Sequence, residues 1–95
     1  MAPLRALRPG QAPPADCVLY FTAEWCGPCR KIKPAVAALA EATCGLDFYA
    51  VDVDAHAELA QTRGVRAVPT FHVIRGGCAA GECRGDVAAL RRLVA

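Results

Sequence analysis

Residues 23–34 read AEWCGPCRKIKP and contain two cysteines, Cys26 and Cys29, separated only by Gly27 and Pro28. Such a pair can bind a metal ion, form a structural disulfide, or cycle between dithiol and disulfide during catalysis. The secondary structure around the pair distinguishes these roles, because the reactivity of a thiol depends on the element that carries it.

The pair is predicted to lie where a buried strand gives way to a helix. The apolar run CVLYFT at 17–22 is typical of a strand that is covered on both faces. Farther along, Ile32, Val36 and Leu39 share one helical face, and Gly45 is placed to end that helix. The two cysteines therefore occupy the first turn of a helix that follows a buried strand.

The rest of the chain continues this alternation of strands and helices. The predicted elements are a strand over 46–53, a helix over 55–63 capped by Asp54, a hairpin around Gly76 and Gly77 with strands at 70–75 and 79–84, and a helix over 87–95 capped by Asp86. This order predicts an α/β fold with a minimal four-stranded mixed sheet and three helices on its faces. Residues 1–16 are predicted to form a proline-rich arm, and 17–95 to form the single domain.

Composition excludes several classes of protein. A hydrophobic fraction of 55% is enough for a core, so the six cysteines are not needed as a disulfide framework. The formal charge of +2 comes from scattered basic residues, which predicts no binding of nucleic acid. No apolar run suits a membrane span or a secretory signal. A soluble, cytoplasmic protein is expected, with an organellar matrix or stroma as the alternative.

The first turn of the helix favours a reactive thiol. Unpaired backbone N–H groups and the positive end of the helix dipole stabilise a thiolate there. Relative to the centre of the apolar stripe, Cys29 lies at about 50° and Cys26 at about 110°. Cys29 is therefore expected to face inward and Cys26 to lie at the rim. Pro28 suits this turn because its missing N–H would have no helical partner.

Two stretches of the chain resemble the thioredoxin family. WCGPC, within FTAEWCGPCRKIKP, is similar to the active site of that family, and VDVDAHAELAQTRGVRAVPTF is similar to its second half. The resemblance covers about residues 17–95 and implies a thioredoxin-like fold. It also implies a thiol-disulfide oxidoreductase that reduces protein disulfides through a redox-active Cys26–Cys29 pair, with Cys26 as nucleophile and Cys29 as resolving cysteine.

The resemblance implies further site residues and partners. Pro69 is expected to be a cis proline beside the cysteine pair, with the backbone of Val68 binding the substrate chain. Trp25 is expected to form part of the rim, with Gly27 and Pro28 as supporting residues. Neither a cofactor nor a metal is expected. The implied partners are disulfide-containing protein substrates and a thioredoxin reductase, and the chain is expected to be a monomer or weak dimer. Because neither Gly27 nor Pro28 has a side chain that can hydrogen-bond a thiolate, the pair is predicted to act as a reductant.

The chain departs from the family pattern in two places. The usual first strand and helix are replaced by the arm, so strand 46–53 is expected at the sheet edge, with the arm or a second chain over the gap. Tyr20 and Ala50 stand where most members have a buried aspartate and a lysine. A phenol donates hydrogen bonds but is a poor proton acceptor at neutral pH. Hydroxide or bulk water is then expected to remove the proton of Cys29.

Two other functions remain open. A zinc site needs a second pair of ligands, which the segment CAAGEC at 78–83, His56 or His72 would have to supply. A non-catalytic module that binds a partner chain is the other alternative. Cys17 and Cys83 are predicted to pack in strands, whereas Cys44 and Cys78 are expected to be exposed.

Overall fold

A computed structural model describes residues 3–94, which form one mixed sheet with helices on both faces. The elements are β1 (Arg5–Ala6), β2 (Cys17–Thr22), α1 (Gly27–Ala42), β3 (Asp47–Asp52), α2 (Ala57–Thr62), β4 (Thr70–Arg75), β5 (Cys78–Arg84) and α3 (Val87–Val94). The strand order is β1-β3-β2-β4-β5. No helix among the described residues combines the length and apolar character that a membrane span requires.

The central strand β2 carries the chain to the cysteine pair. It runs parallel to β3 and antiparallel to β4, so the predicted mixed α/β sheet is confirmed. Tyr20 on β2 is paired with Ala50 on one side and Phe71 on the other. All of β2 except Thr22 is buried, which explains the unbroken apolar run in the sequence.

The predicted number of strands is wrong, because the sheet formed by residues 3–94 has five strands. The additional strand β1 comes from the arm, where Arg5 and Ala6 pair with Tyr49 and Ala50 of β3. Leu7 follows, donating its backbone N–H to the Ala50 carbonyl at 2.9 Å and burying its side chain. Strand β3 is therefore not the edge strand. A strand of two residues is too short to show a period of two in the sequence, so only its tertiary contacts reveal it.

The rest of the arm returns along the sheet to β2. A turn is closed where the Gln11 N–H donates to the Arg8 carbonyl at 3.0 Å. Farther along, the β4–β5 turn holds the arm, because the Gly77 N–H donates to the Ala15 carbonyl at 2.9 Å. The arm thus covers the place of the missing first strand and helix, which is one of the two arrangements expected from the sequence. The domain boundary at residue 17 stays a prediction.

The core has one cluster on each face of the sheet. Helices α1 and α3 cover the first cluster, which contains Val18, Tyr20, Val36, Leu39, Ala40, Leu46, Phe48, Phe71, Val73 and Leu90. Helix α2 and the arm cover the second, which contains Leu7, Cys17, Leu19, Phe21, Tyr49, Val51, Ala60 and Ile74. The alternation of side chains along each strand separates the two clusters.

One predicted helix cap is confirmed and one is wrong. Asp86 accepts a hydrogen bond from the Ala88 N–H at 2.9 Å at the start of α3, as a cap should. Helix α2 instead begins after His56, which makes no capping hydrogen bond with its side chain. Asp54 points elsewhere, to Trp25. The predicted hairpin is confirmed, with Gly76 and Gly77 at φ values of 60° and 79°.

Candidate active site

The cysteine pair lies at the junction of β2 and α1. Cys26 is the N-cap residue, and its N–H donates to the Ala23 carbonyl at 3.1 Å. Its sulfur accepts a hydrogen bond from the Cys29 N–H at 3.2 Å, so a side chain satisfies one of the free donors of the first helical turn. Pro28 sits in this turn without costing a hydrogen bond.

Cys26 and Cys29 form a disulfide, with their Cα atoms 5.3 Å apart. Cys29 is completely buried, whereas Cys26 keeps 5% of its surface exposed. The predicted difference between an inner and an outer cysteine is therefore present, although the outer one is also largely covered. Ala23 and Val68 pack against the pair and complete a small apolar cluster.

A cis peptide bond between Val68 and Pro69 faces the pair, which is the geometry that the resemblance implied. The Val68 carbonyl oxygen lies 3.8 Å from the Cys26 sulfur. Pro69 itself is buried, and the Thr70 hydroxyl donates to the Ala67 carbonyl at 2.7 Å, which fixes the loop ahead of β4. The backbone of this loop is thereby held against the more accessible cysteine.

Trp25 lies on the surface beside the disulfide, with 68% of the residue's surface exposed. Its indole N–H donates to the Asp54 carboxylate at 2.9 Å, which orients the ring. The ring forms one side of a shallow groove of about 130 Å³, and Val53 and residues 65–68 form the other. Sequence reasoning missed this contact of Asp54, because an aspartate between a strand and a helix is also typical of a cap.

Tyr20 lies beneath the first turn of α1. Its hydroxyl donates to the Cys29 carbonyl at 2.6 Å, and its ring stacks on Phe71 with centroids 5.1 Å apart. Burial raises the pKa of the Tyr20 phenol, and the neighbouring Thr22 side chain lowers it by less. The hydroxyl proton is thus held in a hydrogen bond to a backbone carbonyl, which agrees with a supporting role and not with that of a base.

The other four cysteines are free thiols. Cys17 is completely buried in β2, and burial raises its pKa to about 11, with Arg63 acting in the opposite direction. Burial also raises the pKa of Cys83, which is half-buried in β5. Cys44 and Cys78 are exposed, as the sequence predicted.

The residues that the zinc alternative requires are scattered. His56 bonds the Leu7 carbonyl oxygen through Nε2 at 2.9 Å, and His72 bonds Glu82 at 3.0 Å. Among residues 3–94, no three His, Cys, Asp or Glu side chains are grouped so that they could hold a metal ion.

The fold and the site define a class of protein: a thioredoxin-like α/β sheet with a Cys-Gly-Pro-Cys disulfide facing a cis proline. The family model that describes thioredoxin matches residues 11–95. A thioredoxin H-type of Chlamydomonas reinhardtii is 45% identical over 69 residues, covering 72% of this chain and 61% of that protein. The mitochondrial thioredoxin O1 of Arabidopsis thaliana is 36% identical over 94 residues, covering 96% of this chain and 48% of that protein. The chain belongs to the thioredoxin family.

Solved structures agree with this membership. A mutant thioredoxin from Halobacterium salinarum has a TM-score of 0.82 at 34% identity, covering 98% of this chain and 88% of that one. Oxidised thioredoxin O1 from Arabidopsis thaliana has a TM-score of 0.73 at 39% identity, covering 83% and 74%. The chain spans about half the length of the curated relatives that it matches.

Proposed function

We propose that this protein is a thiol-disulfide oxidoreductase that reduces disulfides in other proteins. The observation that carries the proposal is the Cys26–Cys29 disulfide at the start of α1, with Cys26 against the Val68 carbonyl and Cys29 buried behind it. The asymmetry of the two sulfurs suits a stepwise exchange in which one thiol meets the substrate and the other releases it.

The cycle begins with the dithiol form. The Cys26 thiolate attacks one sulfur of a substrate disulfide, forming a mixed disulfide and expelling the other substrate sulfur as a thiolate. Cys29 then loses its proton and attacks the Cys26 sulfur. The bond between Cys26 and the substrate breaks, and the second substrate thiolate leaves. Two electrons have passed to the substrate, and the protein is left with the disulfide that the structure contains.

The surroundings of Cys26 are suited to an extended substrate chain. In our proposal the backbone of Val68, fixed ahead of cis-Pro69, pairs with that chain, while the groove beside Trp25 receives an apolar side chain. Gly27 has no side chain to obstruct the approach of the substrate, and the space around its Cα is open. Tyr20 supports the turn that carries Cys29.

We propose that the pair works as a reductant. Gly27 and Pro28 have no side-chain donor that would stabilise a thiolate and thereby favour the dithiol form. Equilibration with glutathione buffers is the test. An equilibrium close to that of strongly oxidising members of the fold would contradict this direction.

Reduction of insulin by dithiothreitol tests the activity. We expect the wild-type protein to accelerate it and both Cys26→Ser and Cys29→Ser to lose turnover. Cys29→Ser should in addition trap a mixed disulfide through Cys26, and Cys44→Ser serves as the matched control that keeps full activity. A substrate trapped through Cys44 or Cys78 would show that the nucleophile is misplaced. An inactive wild-type protein would favour the non-catalytic binding module.

The proposed partners are disulfide-containing proteins and a thioredoxin reductase that returns two electrons in each cycle of electron transport. We propose no bound cofactor, no nucleic-acid or membrane partner, and a monomer or weak dimer. We propose a cytoplasmic location; the relatives include both an H-type and a mitochondrial thioredoxin. Imaging of the tagged protein together with a matrix marker tests this location, and signal confined to an organelle would contradict it.

A further inference from the structure

A cavity of about 570 Å³ lies beside the first turns of α1. It extends to the ends of β1 and β3, where Ala6 and Ala50 are paired and leave room because their side chains are small. The buried Cys29 forms part of its wall. The titratable and charged residues of the described wall are Glu24, Cys29, Arg30, Lys33, Asp52 and His56.

The resolving step needs a route for one proton, because Cys29 must become a thiolate before it attacks Cys26. Tyr20, the polar side chain that touches the Cys29 backbone from below, donates its own proton to the Cys29 carbonyl. The cavity is many times larger than the roughly 30 Å³ that one water occupies, so it has room for water beside the turn that carries Cys29.

The hydrogen bond of His56 fixes which of its ring nitrogens can accept a proton. Its Nε2 lies 2.9 Å from the carbonyl oxygen of Leu7. Because a carbonyl oxygen only accepts, Nε2 must carry the hydrogen. In the neutral ring the remaining nitrogen, Nδ1, then has a free lone pair.

Imidazole is also the side-chain type in this wall that exchanges a proton near neutral pH. The other charged side chains of this wall are carboxylates, a guanidinium and an ammonium. A base acts best when it gains and loses its proton near the working pH.

His56 also reaches a second groove on the outside of the protein. That groove is lined by Asp54 and Glu58 together with the arm residues 9–13. His56 therefore lines both the cavity that Cys29 borders and a groove with two carboxylates. A proton taken up from the cavity can leave by this outer side.

We propose that His56 accepts, through water in the cavity, the proton that Cys29 loses when it resolves the mixed disulfide. Cys29 gives the proton to water, and water gives one to Nδ1 of His56. The Cys29 thiolate forms the bond to the Cys26 sulfur, the bond between Cys26 and the substrate breaks, and the substrate leaves as a thiolate. The imidazolium then returns its proton to solvent. This inference rests on the proposed function and replaces bulk hydroxide as the acceptor in that step.

The test uses 5,5′-dithiobis(2-nitrobenzoate), which releases one coloured thiolate on attack and a second on resolution. The two exposed thiols and the half-buried one are first removed by Cys44→Ser, Cys78→Ser and Cys83→Ser. In this background His56→Gln keeps an amide N–H for the Leu7 carbonyl but cannot titrate. With His56 present, we expect the second release to rise with pH and then level off. In His56→Gln it should be slower by about tenfold or more at pH 7 and keep rising toward alkaline pH, because hydroxide then removes the proton.

Three further measurements distinguish a proton relay through His56 from a role of this residue in packing. The first release, measured alone with Cys29→Ser, should be unchanged by His56→Gln. Asp52→Asn alters the same wall and should keep the pH profile. His56→Ala, which removes the ring, should regain the second release when imidazole is added to the solution.

Each contrary outcome has a distinct meaning. An unchanged second release in His56→Gln, loss of the profile in Asp52→Asn, or a folded His56→Ala that imidazole does not rescue would overturn the relay. Equal slowing of both releases would assign His56 to packing and also overturn it. If the background protein that retains His56 gives no second release and does not reduce insulin, the proposed function itself fails.

Discussion

Tyr20 shows how a single residue can lie at a reactive centre without performing chemistry. Tyr20→Phe removes the hydrogen bond of 2.6 Å to the Cys29 carbonyl but keeps the ring stacked on Phe71. We expect the free energy of unfolding to fall by about 1 kcal/mol. The rate of disulfide reduction should change by less than about tenfold, equivalent to about 1.4 kcal/mol, because no base is removed.

Insulin reduction and urea unfolding of the two proteins check this prediction for Tyr20. A thousandfold loss of rate would show that the phenol takes part in the reaction directly. Phe71→Leu provides a comparison, since it disturbs the stacking while leaving the hydroxyl in place. It should reduce stability without a selective effect on either step of the exchange.

Cys17 should make stability depend on pH in the alkaline range. Burial raises its pKa from 9.0 to about 11, so the folded protein holds this proton where the unfolded chain has lost it. Stability from this thiol is therefore complete below about pH 9 and declines as the pH rises toward 11. The expected loss is on the order of 2 kcal/mol.

Urea unfolding between pH 8 and 11, in the presence of a reductant, measures the contribution of Cys17. Burial also raises the pKa of Tyr20 and Cys83, so both add to the same decline. The informative quantity is thus the difference from Cys17→Ala, which should lose stability less steeply. Parallel curves for the two proteins would contradict the prediction.

At the scale of elements, the sequence predicted those parts that have a strong local pattern. Helix α1 and strand β2 were predicted because burial imposes an apolar period on the helix and an unbroken apolar run on the strand. Strand β1 was missed because Arg5 and Ala6 are exposed and only Leu7, beyond the strand, is buried. Its pairing depends on a partner more than 40 residues away in the sequence, of which no local signal exists.

The candidate site likewise has some parts that the sequence predicted and others that it did not. The Cys-Gly-Pro-Cys pattern and the family resemblance predicted the positions of Cys26, Cys29 and cis-Pro69, since these are set by local sequence and by the fold. The Trp25–Asp54 contact and the cavity beside His56 were not predicted. Both arise where separate elements meet, and the geometry of such a meeting is not encoded in the spacing of residues along one element.

At the scale of the whole molecule, the arm joins the two clusters of the core across the edge of the sheet. Leu4 packs against the cluster under α1 and α3, while Leu7 is buried in the cluster under α2. Between them, β1 pairs with β3 and covers part of its edge. Removing the arm should therefore weaken both clusters and expose a strand with unpaired backbone groups.

Deletion of residues 2–15 tests this role of the arm. We expect Tm to fall by about 10 °C or more, because losing a buried leucine alone costs about 2 kcal/mol or more in a domain of this size. We also expect self-association through the uncovered edge of β3, visible in sedimentation velocity. Leu7→Ala should lower Tm without association, since it empties one buried site but keeps β1, and Arg5→Ala, at an exposed position in β1, should change neither property. A deleted chain that melts like the wild type and stays monomeric would show that the sheet and its core are complete without the arm.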